Sequence, residues 1–198
     1  MELKEKVIDA VIEEFNDKGL KFTMDDIAKR LGISKRTLYT VVRDKETLFV
    51  EAVDCIFNAI KESERVIIEN TSLDIVEKLK QVIIVIPQKY KTIDYRRLYE
   101  LKRTYPRIYA KIEHRLEMDW EPTYQIMEEA IAKGRMRSVS FPVFKAVISG
   151  TIEYYISRTE LIESNITYEE ALHQLLELLF DGLIMKKEEK HGTTHQLE

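Results

Sequence analysis

Residues 23–53 read TMDDIAKRLGISKRTLYTVVRDKETLFVEAV, and this stretch decides the fold. Thr23 opens a helix, because its hydroxyl can accept a free backbone N–H, and Asp26 three residues on makes a variant of the capping box. Met24, Ile27, Ala28 and Leu31 fall on one face of that helix. Gly32 then supplies the positive φ that ends it without a Cβ clash. Ser34 is the next cap, opening a short helix Ser34–Val41 whose Leu38 and Val41 turn inward. Two helices joined by a short glycine-containing turn make a helix-turn-helix. Ala28 is small enough to let the two helices approach closely where they cross steeply. Asp44 caps a longer helix that runs on through Leu48, Ala52, Cys55, Ile56 and Ala59.

Upstream, Leu3, Val7, Ala10, Val11 and Phe15 recur at spacings of three and four, with Ile8 and Ile12 widening the stripe. That periodicity predicts an amphipathic helix Leu3–Lys18, stopped by Gly19. Between Lys29 and Lys45 stand six basic residues against one acid, a local net of +5 in a chain whose total charge is −4. A short basic block beside a helix-turn-helix is an electrostatic footprint for phosphates. With Leu38 and Val41 inward, Lys35, Arg36, Thr37, Tyr39 and Thr40 face out. A recognition helix reads base edges in the major groove with such amino-terminal residues. Arg36 can donate two bonds to a guanine, while Thr37 and Thr40 can bond a base or meet a thymine methyl. Tyr39 and Lys45 are candidates for phosphates, Lys45 with help from the free N–H groups of the helix it opens.

The same stretch, with the preceding helix and Gly19, resembles the TetR family of bacterial transcriptional regulators over about the first quarter of the chain. Its distinctive features are the Leu38-Tyr39 pair, the Lys45-Glu46 pair and Leu48. The resemblance implies an all-α homodimer whose amino-terminal three helices bind a palindromic operator in double-stranded DNA. It also implies a larger carboxy-terminal domain that binds a small-molecule effector, with repression the commoner outcome. The family's operator-contacting positions fall on Thr23, Lys35, Arg36, Thr37, Tyr39, Thr40 and Lys45. Val41 stands where the family usually has an aromatic residue or histidine, and Val42 where phenylalanine is usual.

The rest of the chain continues the helical pattern over Leu48–Asn70, Leu73–Tyr90, Asp94–Thr104, Pro106–Lys133, Phe141–Glu160 and Tyr168–Lys190. Pro106 is tolerable at a first helical position. Pro122 lies inside an otherwise continuous pattern and is expected to kink or split its helix near Asp119–Glu121. With 6 Gly and 4 Pro in 198 residues, punctuation is too sparse for a sandwich or barrel. The expected division is a helix-turn-helix DNA-binding domain over 1–47, an effector-binding and dimerisation domain over 48–189, and a disordered tail over 190–198. The last two helices carry apolar stripes wider than one buried face requires, which suits packing against a two-fold partner. The resembled family builds its dimer's four-helix interface there. Around Pro122, the candidates for an effector pocket are Tyr95, Tyr99, Met118, Trp120, Tyr124 and Met127, with His114, Arg96 and Arg115 as possible polar groups.

Several function classes recede. The single cysteine, Cys55, excludes an intrachain disulfide or a cysteine-based zinc cluster. The amino terminus lacks an apolar signal region, and the longest apolar run, Val82–Pro87, is far short of the roughly 18 residues of a membrane span. A soluble cytoplasmic protein is expected. The sequence has no Gly-rich phosphate loop, no Gly-x-Ser-x-Gly elbow and no His-Glu-x-x-His helix, so no enzymatic activity is expected. His191 and His195 have the spacing of a metal pair, but they lie in a polar tail without a third ligand, and neither metal nor cofactor is expected. The competing reading is a helix-turn-helix relic that binds proteins and has lost DNA. The basic block and the outward Arg36 and Thr37 weigh against it.

Overall fold

A computed structural model describes residues 2–184. The histidine pair and the expected tail lie outside the described residues. Helix α1 (Glu2–Lys18) ends at Gly19, whose φ is 59°, and a single 3-10 turn (Gly19–Lys21) follows. Helix α2 (Met24–Leu31) carries a complete capping box: Thr23 Oγ1 accepts the Asp26 N–H at 3.2 Å, and Asp26 Oδ2 accepts the Thr23 N–H at 2.8 Å. Gly32 takes φ 63°, and the Gly32 and Ile33 N–H groups close the helix on the Lys29 and Ala28 carbonyls.

Helix α3 (Lys35–Leu38) is shorter than the pattern predicts. Ser34 caps it as expected, accepting the Thr37 N–H at 3.0 Å. Beyond Leu38 the coil tightens, with Thr40 N–H bonded to Thr37 O and Val41 N–H to Leu38 O. Thr40, Val41 and Val42 are consecutive β-branched residues, which lose side-chain freedom in a helix. The Thr40 hydroxyl also donates to Thr37 O at 2.6 Å, competing with the backbone ladder. The tightening corrects the expected inward side: Leu38 and Val42 are buried, whereas Val41 is half-buried.

Asp44 caps α4 (Lys45–Glu69) by accepting the Thr47 N–H at 2.7 Å. Helix α5 (Ile75–Ile84) stops short of the predicted Tyr90, since Pro87 pushes the residue before it out of the α region. The chain resumes as a 3-10 turn at Gln88–Tyr90 and another at Tyr95–Leu98, which leads into α6 (Tyr99–Thr104). Helices α7 (Pro106–Glu117) and α8 (Glu121–Ala132) are fully split, with Met118 extended and Asp119 at φ 60°. Then come α9 (Phe141–Ser157), the short α10 (Glu160–Glu163) and α11 (Tyr168–Leu183), the last opened by a second capping box of Thr167 and Glu170. The described residues contain no strand, only an isolated bridge between Met136 and Ile184, so the fold is all-α. None of their helices is long and apolar enough to cross a membrane.

Two apolar cores organise these helices. One gathers Phe15, Phe22, Ile27, Leu38 and Leu48 of the first four helices and the loop that joins the first two, and continues without a break into Leu101 and Ile108 of α6 and α7. The other joins α5, α8, α9 and α11 through Leu79, Met127, Ile148 and Phe180. A chain of rings ties the helix-turn-helix to the body: Phe22 to Phe49 with centroids 5.3 Å apart, then Phe49 to Tyr105 at 5.7 Å. Each such ring, fully buried, is worth about 1.5–3 kcal/mol. The helix-turn-helix is therefore not a bead on a linker; it shares a core and one long helix with the rest.

Candidate nucleic-acid interface and internal cavity

The turn of α3 points its polar tips outward. Arg36, Thr37, Tyr39 and Thr40 are all exposed while Leu38 beneath them is 0% exposed. The Arg36 guanidinium has no partner among the described residues, and Tyr39 is 49% exposed. Thr37 Oγ1 shares a 2.9 Å hydrogen bond with the Ser34 hydroxyl, which fixes its rotamer at the helix entrance. Lys35 is exposed and paired with Asp25 at 2.5 Å, so its ammonium lies across the mouth of α2. Thr23 is exposed at the start of α2, its hydroxyl engaged with Asp26. These six side chains form one surface around the α2–α3 turn.

Lys45 does not join them, a correction to the sequence reading. Its Nζ donates to Leu20 O at 2.6 Å and to Phe22 O, and lies 4.2 Å from the centre of the Phe22 ring. Burial pushes its pKa down, with Asp26 opposing. The physical reason is the loop between α1 and α2, which leaves two carbonyls without helical partners directly over the first turn of α4. A lysine there satisfies both and lays its charge on an aromatic face.

Arg30 is exposed but already claimed by α1, bound to Glu14 at 2.7 Å, Glu13 at 2.9 Å and Asp17 at 2.5 Å. Glu14 is 4% exposed. Burial acts to raise its pKa, but the Lys18 ammonium and the Arg30 guanidinium outweigh burial and leave it below the ordinary value. The +5 block thus overstates the outward charge. Lys29, Arg36 and Arg43 remain outward, with the Arg43 side chain 89% exposed. Three acids within two turns of α1 were the available signal that one arginine would be claimed by that helix.

A cavity of about 190 Å³ lies between α1, α4, the end of α5, α7 and α9. Phe15, Phe49, Ile56, Ile60, Ile84 and Ile152 supply much of its apolar wall. Of the sequence candidates, Tyr95, Met118 and Trp120 line it. Tyr95 stacks on Tyr168 with ring centres 5.0 Å apart and donates to Tyr90 O at 3.2 Å. Tyr99, Tyr124 and Met127 lie off the wall, a second correction. The split after α7 swings α8 away, so that Met127 is fully buried in the other core and Tyr124 stands edge-on to Phe141 at 5.0 Å. Tyr99 turns its hydroxyl to Glu100 at 3.5 Å. Among the proposed polar groups, Arg96 is held by Asp94 at 2.7 Å, His114 is exposed, and Arg115 lines the cavity.

Two charged residues of the wall escaped the sequence reading. Lys61 reaches Glu64 at 2.9 and 3.0 Å, and Glu64 is nearly buried, which raises its pKa against the pull of Lys61. Ala52, Ile56, Ile60 and Glu64 follow one another at spacing four on α4, so a carboxylate on an apolar stripe was the legible clue.

Comparison with known proteins agrees with this geometry. A sequence model of the family described as bacterial regulatory proteins, tetR family, matches residues 7–52. An uncharacterized HTH-type transcriptional regulator of Bacillus subtilis, YvaF, is 27% identical over 186 residues, covering 94% of this chain and 98% of its own. IcaR of Staphylococcus aureus, a negative transcriptional regulator of the biofilm operon icaADBC, is 39% identical over 57 residues, 28% of this chain and 31% of its own. A regulator of the TetR/AcrR family from Thermobifida fusca superposes with a TM-score of 0.67 at 21% identity over 92% of this chain and 98% of its own. A TetR regulator from Haloarcula marismortui gives 0.70 at 17% over 93% and 99%. Residues 7–52 are thus similar to the tetR family of bacterial regulatory proteins, and the whole chain shares the all-α fold of the solved TetR regulators.

Proposed function

We propose that this regulator is a homodimeric repressor that holds a palindromic DNA operator and is released from it by a small-molecule effector. The observation that carries the reading is the row Arg36, Thr37, Tyr39 and Thr40, exposed on a capped turn whose underside is locked into the core. Arg36 is the base reader, Thr37 and Thr40 touch bases or thymine methyls, and Tyr39, Lys35 and Thr23 hold phosphates. Lys45 supports this surface from behind. A dimer would set two such turns in successive major grooves, roughly 34 Å apart.

The dimer forms through α9 and α11. Val143, Val147 and Tyr154 on α9 and Leu178 on α11 are large apolar side chains exposed on these two helices. Such a patch is where a second copy packs in an isologous contact. The effector occupies the cavity, no cofactor takes part, and the protein works in the cytoplasm. The cavity wall includes Phe15 and Phe49, which are also core residues beneath the helix-turn-helix. An occupant that prefers a different packing of α1 against α4 therefore changes the spacing of the two recognition turns and, by linkage, weakens the operator complex. IcaR, alike over 57 residues, is by name a negative regulator, which supports repression as the sense of control.

Selection of bound duplexes from a random pool tests the proposal. The expected result is enrichment of one two-fold-symmetric sequence with half-sites about one helical turn apart. Absence of any enrichment would overturn it in favour of a protein-binding module.

A further inference from the structure

The cavity's charges do not cancel, and the imbalance has a sign. Lys61 and Glu64 close on each other, and Lys61 gives its remaining reach to Asp119 O at 3.3 Å. Arg115 is different. Its guanidinium lies over the Phe57 ring at 5.3 Å and donates from Nη2 to the neutral Asn58 amide at 3.0 Å, while its Nε is buried without a hydrogen-bond partner. No carboxylate pairs with Arg115 among the described residues, so this wall carries one unmatched cation with a donor turned from water. Buried charged donors need a partner, and arginine is shaped for carboxylates.

Size sets the second constraint. A dry apolar cavity of roughly 150 Å³ accepts benzene, six carbons. At about 190 Å³ this one has room for somewhat more, well short of a long acyl chain. Its other walls, Ile56, Ile60 and Ile152 with Phe15 beyond, offer apolar contact and no competing charge.

From these observations, and resting on the reading of the cavity as the effector site, we infer that the effector is a small amphiphilic monoanion. It is a carboxylate on an alkyl or aryl tail of about six to eight carbons, its head group on Arg115 and its tail along Ile56 and Ile60 toward Phe15. Lys61 holds both Glu64 oxygens, which offsets their repulsion of the incoming anion. An amine of the same length would meet the unmatched Arg115 with like charge, and a neutral alcohol would leave the guanidinium unmatched.

Trp120 is the chain's single tryptophan and lines the cavity, so its emission reports occupancy directly. The full-length protein is titrated with octanoate, octanol, octylamine and hexadecanoate in the absence of DNA. Octanoate is expected to change Trp120 emission saturably and to bind about tenfold or more tightly than octanol or octylamine. Arg115→Gln is expected to bring octanoate down to the level of octanol and to leave octanol unaffected, while Arg115→Lys keeps part of the preference. Octanol or octylamine binding as tightly as octanoate, or Arg115→Gln retaining full octanoate affinity, overturns the assignment. Hexadecanoate binding more tightly than octanoate overturns its size limit. If Arg115→Gln does not fold, the wild-type comparison of octanoate with octanol still decides. DNA affinity, measured separately on the enriched duplex, keeps the two claims apart. Unchanged DNA affinity at saturating octanoate overturns the coupling to the operator while the ligand class stands; no Trp120 response alongside intact DNA selection overturns the ligand class alone.

Discussion

Arg36 and Lys45 carry the same charge on the same short stretch and do opposite work. Arg36 stands unpaired at the surface, whereas Lys45 is tied to two loop carbonyls beneath it. Arg36→Ala should relax base preference at one symmetric pair of positions and cost about 1–3 kcal/mol of specific binding, read by repeating the duplex selection and titrating the enriched site. Lys45→Met should instead lower folding stability by about 2 kcal/mol in a denaturant titration, because it strands two carbonyls. It should leave the slope of DNA affinity against salt unchanged; a slope reduced by about one per subunit would return Lys45 to the phosphates. A sequence displays the sign of a charge and its place on a helix, but not which neighbour claims it. For Lys45 the claimants are the carbonyls of Leu20 and Phe22, more than twenty positions away in the chain, and only the folded loop brings them over α4.

At the level of single elements, helix ends were the most legible features, because caps depend on residues a few positions apart. Thr23 with Asp26, Gly32, Ser34 and Asp44 all act where local chemistry puts them. Thr23→Ala should destabilise the helix-turn-helix by about 1 kcal/mol, measured as a lowered unfolding midpoint. Asp26 is held far below the ordinary carboxylate range, first by the Lys18 ammonium and then by Thr23 donors. A depressed folded-state pKa means that its stabilising contribution is complete above about pH 4 and is lost as pH falls through the folded value. Thermal melts from about pH 5 down to about pH 3 should therefore show declining stability, and Asp26→Asn should be less stable at neutral pH with a shallower acid slope. What the sequence concealed was how elements end for reasons other than caps. Helix α3 loses its last turn to the Thr40-Val41-Val42 run, and α5 yields three residues before Pro87, because apolar periodicity alone does not register β-branching or the restriction before proline.

Across the whole molecule, the all-α architecture was readable, but the cavity was only half so. The split near Asp119–Glu121 was expected, but not which core each side of it joins. The positive φ of Asp119 sends Tyr124 and Met127 to another core, while α1 and α4 supply walls that no local pattern connects. The proposed dimer can be tested at this scale. Leu178 is 80% exposed on α11, so Leu178→Asp should leave the fold intact by circular dichroism and convert a dimer to a monomer in sedimentation equilibrium. Operator affinity should fall with it, since each half-site is then held alone.

The most direct measurement of the central claim, that the exposed turn of α3 grips duplex DNA, is the affinity of the full-length protein for its enriched duplex across a salt series. The account predicts a linear fall of log K with log salt, with a slope of about −0.9 for each phosphate neutralised, and a weaker but equally salt-sensitive binding to random duplex. Binding indifferent to salt, or no binding at any salt, would contradict it.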